Sequence, residues 1–297
     1  MSVKYIFYDL ETTGRGKKES ANAFGMTPKW EQILQIAAIV VDENFQPTNQ
    51  NMNEFCRPRT SIIAQPGALL TTQKGIKESL QAKHSSYELI SMINKQFDEW
   101  KKENENLVFI GHNLIQFDST VLEYNLFNNL YFPYIDRKNR GDTLNLARAL
   151  YALNPSSIKT PLTAKGNPSF RLEKLAELNN LPVEFAHDAY SDVKTSIALT
   201  KFIHDSDPES WSQLTMTMNK DDLARVLCRV VGLYFGLSAI VGTGQVVLSF
   251  VAPMLGGAST SYTFAPFIQI IAPQLMGLVV GVIVWKNAPA IGAKVAE

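Results

Sequence analysis

Two acidic residues stand close together near the start of the chain, after an apolar run that predicts a buried β-strand over residues 3–8. Asp9 and Glu11 are separated by one residue, so strand alternation places both carboxylates on the same side. Such a pair repels and resists loss of water unless a cation or hydrogen-bond donors compensate, and a hard divalent metal ion is the usual solution. The alternative is an exposed acidic strand end that binds nothing.

Two further elements carry acidic residues at the starts of predicted helices. Asp118 follows a predicted strand over residues 107–111 and a polar turn. His187 precedes another predicted helix, and Asp192 lies in the first turns of that helix. A structural role is the alternative in each case: an inert N-cap for Asp118, and a helix start capped by Asp188 for the other element.

Taken together and in this order, the three elements resemble the motifs of the DEDDh exonucleases of the DnaQ-like, or ribonuclease H-like, superfamily. Those motifs are Asp-x-Glu, an Asp that follows Asn and Phe, and His-x4-Asp. Over about residues 3–204 the chain looks most like the bacterial exonuclease I family, because accessory stretches agree as well. These stretches are Arg57-Pro58, residues 65–68, residues 132–134, residues 169–173 and His187-Asp188-Ala189.

The resemblance implies a metal-dependent 3′→5′ exonuclease that releases nucleotides from single-stranded DNA, with RNA as the open alternative. It implies two Mg²⁺ ions, for which Mn²⁺ could substitute, with Asp9 bridging them. Glu11 and Asp192 would hold the ion that carries the nucleophilic water, and Asp118 would support the leaving-group side. His187 would be the general base, because an imidazole can accept a proton at neutral pH.

Substrate binding in such an enzyme needs stacking surfaces and cations more than base-edge readout, because every nucleotide must be accepted in turn. The predicted substrate contacts are Thr12, Gln65, Gly67, Ala68, Asn113 and Phe117. We expect His112 to be a histidine of the polar turn whose hydrogen bonds are satisfied; the alternative is a donor that supports the metal ligands.

Apolar periodicity predicts the elements that must position these residues. The predicted strands cover residues 3–8, 34–41, 107–111 and, as a shorter candidate, 53–56; the predicted helices cover residues 86–102, 119–129, 143–150, 172–179 and 188–204. Strands followed by interleaved helices predict an α/β domain over residues 1–205, with a mixed sheet flanked by helices. The resemblance implies that this domain is the exonuclease and that it has the ribonuclease H-like (DnaQ-like) fold.

The composition limits how the chain can bind a polyanion. The 28 basic and 28 acidic residues balance, so binding must come from local patches or from metal ions. The two cysteines, Cys56 and Cys228, lie far apart and lack partners at metal-ligand spacing. They predict neither a zinc site nor a disulfide framework, and they favour a reducing compartment.

The last part of the chain has a different character. Residues 230–285 contain no Asp, Glu, Lys or Arg. Two apolar spans of 22 residues, 230–251 and 264–285, are each long enough to cross a bilayer. After a linker over residues 206–222, we therefore predict a transmembrane hairpin of two helices over residues 223–286 and a tail over residues 287–297. Basic residues flank the hairpin on both sides, which predicts that both termini are cytoplasmic and that the nuclease lies on the cytoplasmic face of the membrane.

This interpretation of the tail makes a lipid bilayer a predicted partner. Gly232, Gly236, Gly277 and Gly281 lie at small-x3-small spacing, which would allow a helix-mediated oligomer. The alternatives are a buried helical hairpin in a cytoplasmic protein, an apolar oligomer interface, or a tail joined by fusion. A different functional class is a membrane effector or channel-like protein whose nuclease-like half only binds or senses nucleic acid.

Overall fold

The computed structural model of the protein describes residues 3–14, 31–62, 64–72, 76–104, 106–136, 139–184, 188–215 and 218, together with shorter stretches between residues 229 and 286. The chain divides into two compact units, Met1–Met218 and Asn219–Glu297. All predicted site residues that are described lie in the first unit.

A five-stranded mixed sheet with the strand order β3-β2-β1-β4-β5 forms the centre of the first unit. Its strands are β1 (Lys4–Thr12), β2 (Ile33–Val41), β3 (Pro47–Phe55), β4 (Leu107–Gly111) and β5 (Arg140–Asp142). The central strand β1 pairs antiparallel with β2 and parallel with β4. Because both faces of β1 are covered, its sequence is apolar almost without alternation.

Helices cover both faces of this sheet and confirm the predicted α/β architecture. They are α1 (Pro66–Thr72), α2 (Ile76–Leu80), α3 (Ser86–Glu103), α4 (Asp118–Asn128), α5 (Thr143–Leu153), α6 (Leu172–Leu178), α7 (Ala189–Ser206) and α8 (Pro208–Thr215). The start of α3 shows why helices form where they do: Ser85 and Glu88 make a reciprocal capping box, and apolar residues then recur along one face.

Alternate residues of β1 contribute to two separate hydrophobic clusters. Ile6 and Tyr8 belong to the cluster that includes residues of α3 and α4. Tyr5 and Phe7 belong to the cluster that includes residues of α5 and α7. Asp9 continues this second set, so the pleat of the strand directs it, and Glu11 after it, toward the face covered by α7.

Two strands extend several residues beyond their predicted bounds, and one strand was not predicted. β1 continues to Thr12, because β2 pairs beyond the apolar run and places Ala37 opposite Asp9 and Gln35 opposite Glu11. The edge strand β3 begins at Pro47, earlier than predicted. Its side chains are mostly polar and face solvent, so an apolar pattern does not reveal its first residues. The strand β5 has only three residues, Arg140–Asp142, which is too short for apolar periodicity to reveal.

Helix α8 lies within the segment predicted as a linker. Asp207 accepts a hydrogen bond of 2.9 Å from the N–H of Ser210 and so caps the start of this helix. Trp211 of α8 is buried and packs in the same cluster as Tyr5 and Phe7. The first unit thus extends beyond the predicted domain end at residue 205.

The second unit is described only in part. Residues 229–234 and 236–245 are helical, and large apolar side chains such as Leu233 and Ile240 are more than half exposed. Within the stretches that the structure describes, no helix combines the length and the apolar character needed to cross a membrane. The predicted transmembrane hairpin therefore gains no support from the structure, and most of the span over residues 264–285 lies outside the described residues.

Candidate active site

Three carboxylates from two elements meet at one point of the first unit. Asp9 and Glu11 lie on β1, and Asp192 lies in the first turn of α7. One carboxylate oxygen from each of the three lies within 4.8 Å of the other two. The structure therefore brings together residues that are more than 180 positions apart in the chain.

The fourth predicted acid, Asp118, is fastened directly to β1. Its Oδ1 accepts a hydrogen bond of 3.1 Å from the N–H of Leu10, the residue between Asp9 and Glu11. The side chain of Asp118 is buried at the first position of α4. This contact places Asp118 beside the other acids, although it is not part of the tight group of three.

The acids destabilise one another's charges. Burial raises the pKa of Asp9 well above its usual range, and the negative charges of Asp118, Glu11 and Asp192 raise it further. Burial also raises the pKa of Asp118, against the lowering effect of the Leu10 N–H. A group of carboxylates held in this way is stabilised by a positive charge placed among them.

A divalent cation fits this donor set. The ligand atoms are carboxylate oxygens, which hard ions such as Mg²⁺, Mn²⁺ and Ca²⁺ prefer, and no soft sulfur ligand is present among the described residues of the cluster. The close approach of Asp9, Glu11 and Asp192 also matches the need of such an ion for several oxygens at once. The choice among these ions does not follow from the donor set.

The acids line one end of an open cleft of about 760 Å³. Four of the six predicted substrate contacts line the same cleft, namely Thr12, Ala68, Asn113 and Phe117. Its lining also includes Arg148, Phe170 and Arg171, and the guanidinium carbon of Arg148 lies 5.9 Å from the centre of the Phe170 ring. The cleft therefore combines a cation site with aromatic and basic side chains.

The other two predicted substrate contacts lie elsewhere. Gln65 does not line the cleft: its Nε2 donates to Glu31 Oε1 at 3.0 Å, and its N–H donates to the carbonyl of Thr13 at 2.7 Å. It thereby connects the start of α1 to the end of β1. Gly67 lies exposed in the first turn of α1, outside the cleft lining.

The predicted general base, His187, lies outside the described residues. Its neighbour Asp188 is described and caps α7, accepting the N–H of Ser191 at 3.3 Å. Asp188 therefore has the capping role expected from sequence. The role of His187 stays a prediction.

His112 is a satisfied histidine, as expected. Its Nδ1 lies 2.8 Å from Thr143 Oγ1, and its Nε2 lies 2.9 Å from the carbonyl oxygen of Phe170, to which it donates. Burial lowers the pKa of His112, so the imidazole is neutral near pH 7. With both nitrogens engaged, His112 connects the end of β4 to the segment that carries Phe170.

Two buried residues that hold the site together were missed by the sequence analysis. Gln35 donates from its Nε2 to Asn53 Oδ1 at 3.0 Å and to Asp188 Oδ1 at 3.1 Å, and so ties β2 to the start of α7. Asp142 accepts three backbone N–H groups at the end of β5. Neither contact has a sequence signal beyond the position of Asp142 before a predicted helix, where it reads as an N-cap.

The fold and the carboxylate cleft define a class of protein, and sequence comparison identifies the same class. Residues 6–200 match the exonuclease family RNase_T. The chain belongs to this exonuclease family.

Within the family, the chain is similar to exodeoxyribonuclease I. It is 30% identical to that protein of Escherichia coli K12 over 227 residues, which cover 75% of this chain and 44% of the relative. It is 31% identical to that of Buchnera aphidicola subsp. Schizaphis graminum over 229 residues, which cover 76% of this chain and 44% of the relative. The match thus covers less than half the length of each of these two relatives.

Solved structures show the same similarity. A crystal structure of E. coli exonuclease I in complex with a dT13 oligonucleotide superposes with a TM-score of 0.65 at 29% identity, over 74% of this chain and 45% of that one. A complex of the same enzyme with a dA16 oligonucleotide gives a TM-score of 0.64. The mixed sheet with flanking helices described above is therefore the fold of this part of exonuclease I.

Proposed function

We propose that the first unit is a divalent-metal-dependent 3′→5′ exonuclease that acts on single-stranded DNA. The observation that carries the proposal is the meeting of Asp9, Glu11 and Asp192 within 4.8 Å, with Asp118 hydrogen-bonded to the strand between them. Membership of the exonuclease family supports phosphodiester hydrolysis as the reaction.

The four acids would hold two metal ions, with Mg²⁺ as the physiological choice and Mn²⁺ as a substitute. Bound there, the ions would stabilise the negative charge that develops on the attacking and leaving oxygens of the phosphodiester. The hydrogen bond from the Leu10 N–H holds the carboxylate of Asp118 beside Asp9 and Glu11. His187 would take the proton of the attacking water, as its place in the His-x4-Asp motif implies, whereas His112, which lines the cleft, has both ring nitrogens engaged.

The remainder of the cleft is suited to a terminal nucleotide. Thr12, Ala68, Asn113 and Phe117 lie next to the acids, and Phe117 offers a ring for contact with a base. Arg148 and Arg171, which also line the cleft, would supply positive charge for the phosphates of the substrate. We propose that Gln65 and Gly67 act indirectly, by placing the start of α1 so that Ala68 faces the cleft.

One observation on a relative and one on this chain support DNA as the substrate and a lack of base preference. The E. coli enzyme has been crystallised with a dT13 and with a dA16 oligonucleotide. In this chain, the cleft lining includes the aromatic rings of Phe117 and Phe170 and the positive charges of Arg148 and Arg171, which suit stacking and phosphate contacts that any nucleotide can make.

The test is a time course on matched single- and double-stranded DNA and RNA, each labelled at the 5′ end, with Mg²⁺ and then with EDTA. We expect a ladder of labelled fragments that shorten from the 3′ end of single-stranded DNA, and no shortening with EDTA. An equal rate on RNA would overturn the substrate assignment. Release of labelled mononucleotide at once, without a ladder, would overturn the direction.

We propose separately, from the sequence alone, that residues 223–286 attach the nuclease to the cytoplasmic face of a membrane as a helical hairpin. What supports this is the charge-free stretch 230–285 with basic residues on both sides. Recovery of the native protein from the soluble fraction without detergent would overturn it. Crosslinking in detergent with and without Gly232→Leu would test the helix-mediated oligomer.

A further inference from the structure

Asp142 lies at a junction between two parallel strands beside the candidate active site. It is the last residue of β5, its register partner on β4 is Gly111, and its side chain is buried. The turn over residues 112–117 leaves β4 at this point and leads to Asp118. Asp142 is therefore adjacent to the turn that precedes Asp118, the fourth acid of the site.

The carboxylate of Asp142 accepts three backbone hydrogen bonds. Its Oδ1 accepts the N–H of Leu144 at 3.0 Å, which caps helix α5. The same Oδ1 accepts the N–H of Asn113 at 2.9 Å, and Oδ2 accepts the N–H of Ile115 at 3.1 Å. Two of the three bonds thus go to the turn that precedes Asp118 and not to the helix that Asp142 caps.

That turn needs an external partner. Asn113 has a φ of 65°, in the left-handed region that non-glycine residues adopt at a cost. Within the turn, the N–H of Phe117 donates to the carbonyl of Asn113 at 3.1 Å. The N–H groups of Asn113 and Ile115 donate instead to Asp142, which supplies partners for two backbone donors of this part-buried turn.

The turn over residues 112–117 leads directly into Asp118, the first residue of α4. Asp118 follows Phe117 directly, and its Oδ1 reaches the Leu10 N–H on β1 at 3.1 Å. A shift of the turn would move Asp118 along β1 and away from Asp9 and Glu11. Hydrogen bonds of 2.9–3.1 Å thus connect Asp142 to the turn and Asp118 to β1.

We propose that Asp142 is a positioning residue for the metal site, which acts by fixing the turn that carries Asp118. The inference rests on the proposed metal-dependent function, and it adds a second role to a residue that reads as a helix cap. A carboxylate is required because the three N–H groups are shared between its two oxygens, and a side chain with one acceptor oxygen cannot accept all three.

Two substitutions separate the positioning role from the cap. In Asp142→Ser the hydroxyl can still cap α5, but it is too short and has too few acceptors for Asn113 and Ile115. In Asp142→Asn the remaining oxygen can serve Leu144 and Asn113, while the amide nitrogen faces the N–H of Ile115 and loses that bond. Ser85→Ala is the matched control, because Ser85 caps α3 at a distance from the acids.

The experiment measures Mn²⁺ binding by calorimetry, together with thermal unfolding and the rate of trimming of single-stranded DNA. We expect Asp142→Ser to lower the Mn²⁺ affinity and kcat by about 10–100-fold, the range found for groups that orient metal ligands, with little change in KM for the oligonucleotide. Asp142→Asn should fall between Asp142→Ser and the wild type. Ser85→Ala should lower the unfolding temperature only.

Each outcome decides the proposal. Wild-type Mn²⁺ affinity and kcat in a folded Asp142→Ser protein would overturn it and leave Asp142 as a cap. If Asp142→Ser does not fold, the affinity of Asp142→Asn decides in the same way. A wild type that binds Mn²⁺ but does not cut DNA would overturn the proposed function alone, whereas a wild type that binds no Mn²⁺ would overturn both.

Discussion

The backbone N–H of Leu10 donates a hydrogen bond of 3.1 Å to Oδ1 of Asp118. Leu10 itself is buried on the opposite side of β1 from Asp9 and Glu11. One residue of the central strand therefore packs into the core with its side chain and holds an acid of the cleft with its backbone. The position of the Asp118 carboxylate therefore depends on the position of the β1 backbone.

Removing charge from the cluster should stabilise the protein when no metal is present. Because burial and neighbouring charges raise the pKa of Asp9, the folded state holds a proton more tightly there than the unfolded chain does. The unfolding free energy therefore falls as pH rises from the ordinary pKa through the raised one. At pH 7 with EDTA, Asp9→Asn should unfold about 2–4 °C higher than the wild type, the shift that about 1 kcal/mol gives in a domain of this size.

Divalent metal should reverse that order. Saturating Mn²⁺ should raise the unfolding temperature of the wild type, because it binds the folded state only, and should leave Asp9→Asn nearly unchanged. Differential scanning calorimetry with and without Mn²⁺ measures both effects. An Asp9→Asn protein that is less stable than the wild type in EDTA would contradict the electrostatic account of the cluster.

Protons and metal should compete for the same carboxylates. The pKa values of Asp9 and Asp118 are raised in the metal-free protein, so these groups are partly protonated at pH values where an ordinary aspartate is ionised. The apparent affinity for Mg²⁺ should then fall as pH falls. We expect a tenfold increase in Mg²⁺ to move the acidic limb of the activity profile to lower pH; a limb that does not move would contradict this linkage.

The link between Gln35 and Asp188 should set the position of α7. Gln35→Met keeps the length of the side chain but removes both donated hydrogen bonds, and should cost about 1–3 kcal/mol of unfolding free energy. Because Asp192 lies one turn after Asp188, the Mn²⁺ affinity should fall as well. Gln46→Met, at an exposed position, is the control and should change neither. Loss of stability with unchanged Mn²⁺ affinity would show that the link does not position Asp192.

Gly111 is required by the close approach of β1 and β4. A Cβ at this position would lie 2.7 Å from the carbonyl oxygen of Tyr8 and 2.7 Å from Leu114 Cδ1. Gly111→Ala should therefore destabilise the protein by about 1–3 kcal/mol. The control is Gly67→Ala, where nothing lies within 4 Å of the added Cβ, and which should stabilise helix α1 slightly. Urea unfolding measures both; equal effects would contradict the packing argument.

The part of the site that could be predicted is the part with local signals. Alternation along a strand places Asp9 and Glu11 on one side, and the position of Asp192 in a helix start follows from the pattern around it. The mixed α/β sheet followed from the order of apolar runs. Asp118 was predicted as a member of the metal site, but its hydrogen bond to the N–H of Leu10 was not predicted.

The remainder depends on contacts between residues far apart in the chain. Gln35 and Asp188 are separated by 153 positions, and no periodicity relates them. β3 is polar because it lies at an edge, and β5 has three residues, so apolar patterns reveal neither in full. Gln65 was predicted as a substrate contact from a shared motif, whereas its hydrogen bond to Glu31 could be known only from the fold.

The most direct test of the central claim compares wild-type, Asp118→Asn, Asp192→Asn and Asp205→Asn proteins on single-stranded DNA with Mg²⁺. Asn keeps the size of each side chain and removes its charge, and at position 118 it also keeps an oxygen for the N–H of Leu10. Asp205 is the control, because it lies on the same helix as Asp192 with its side chain 51% exposed. The measurement is the initial rate of 3′-end shortening by proteins of equal folded fraction.

We expect Asp118→Asn and Asp192→Asn to lose at least about a hundredfold in rate, because loss of a direct metal ligand should cost no less than loss of a group that orients one. Asp205→Asn should cut at the wild-type rate. Shortening by Asp118→Asn or Asp192→Asn at a rate within a fewfold of the wild type would show that these carboxylates do not hold the catalytic ions, and the proposed active site would be wrong.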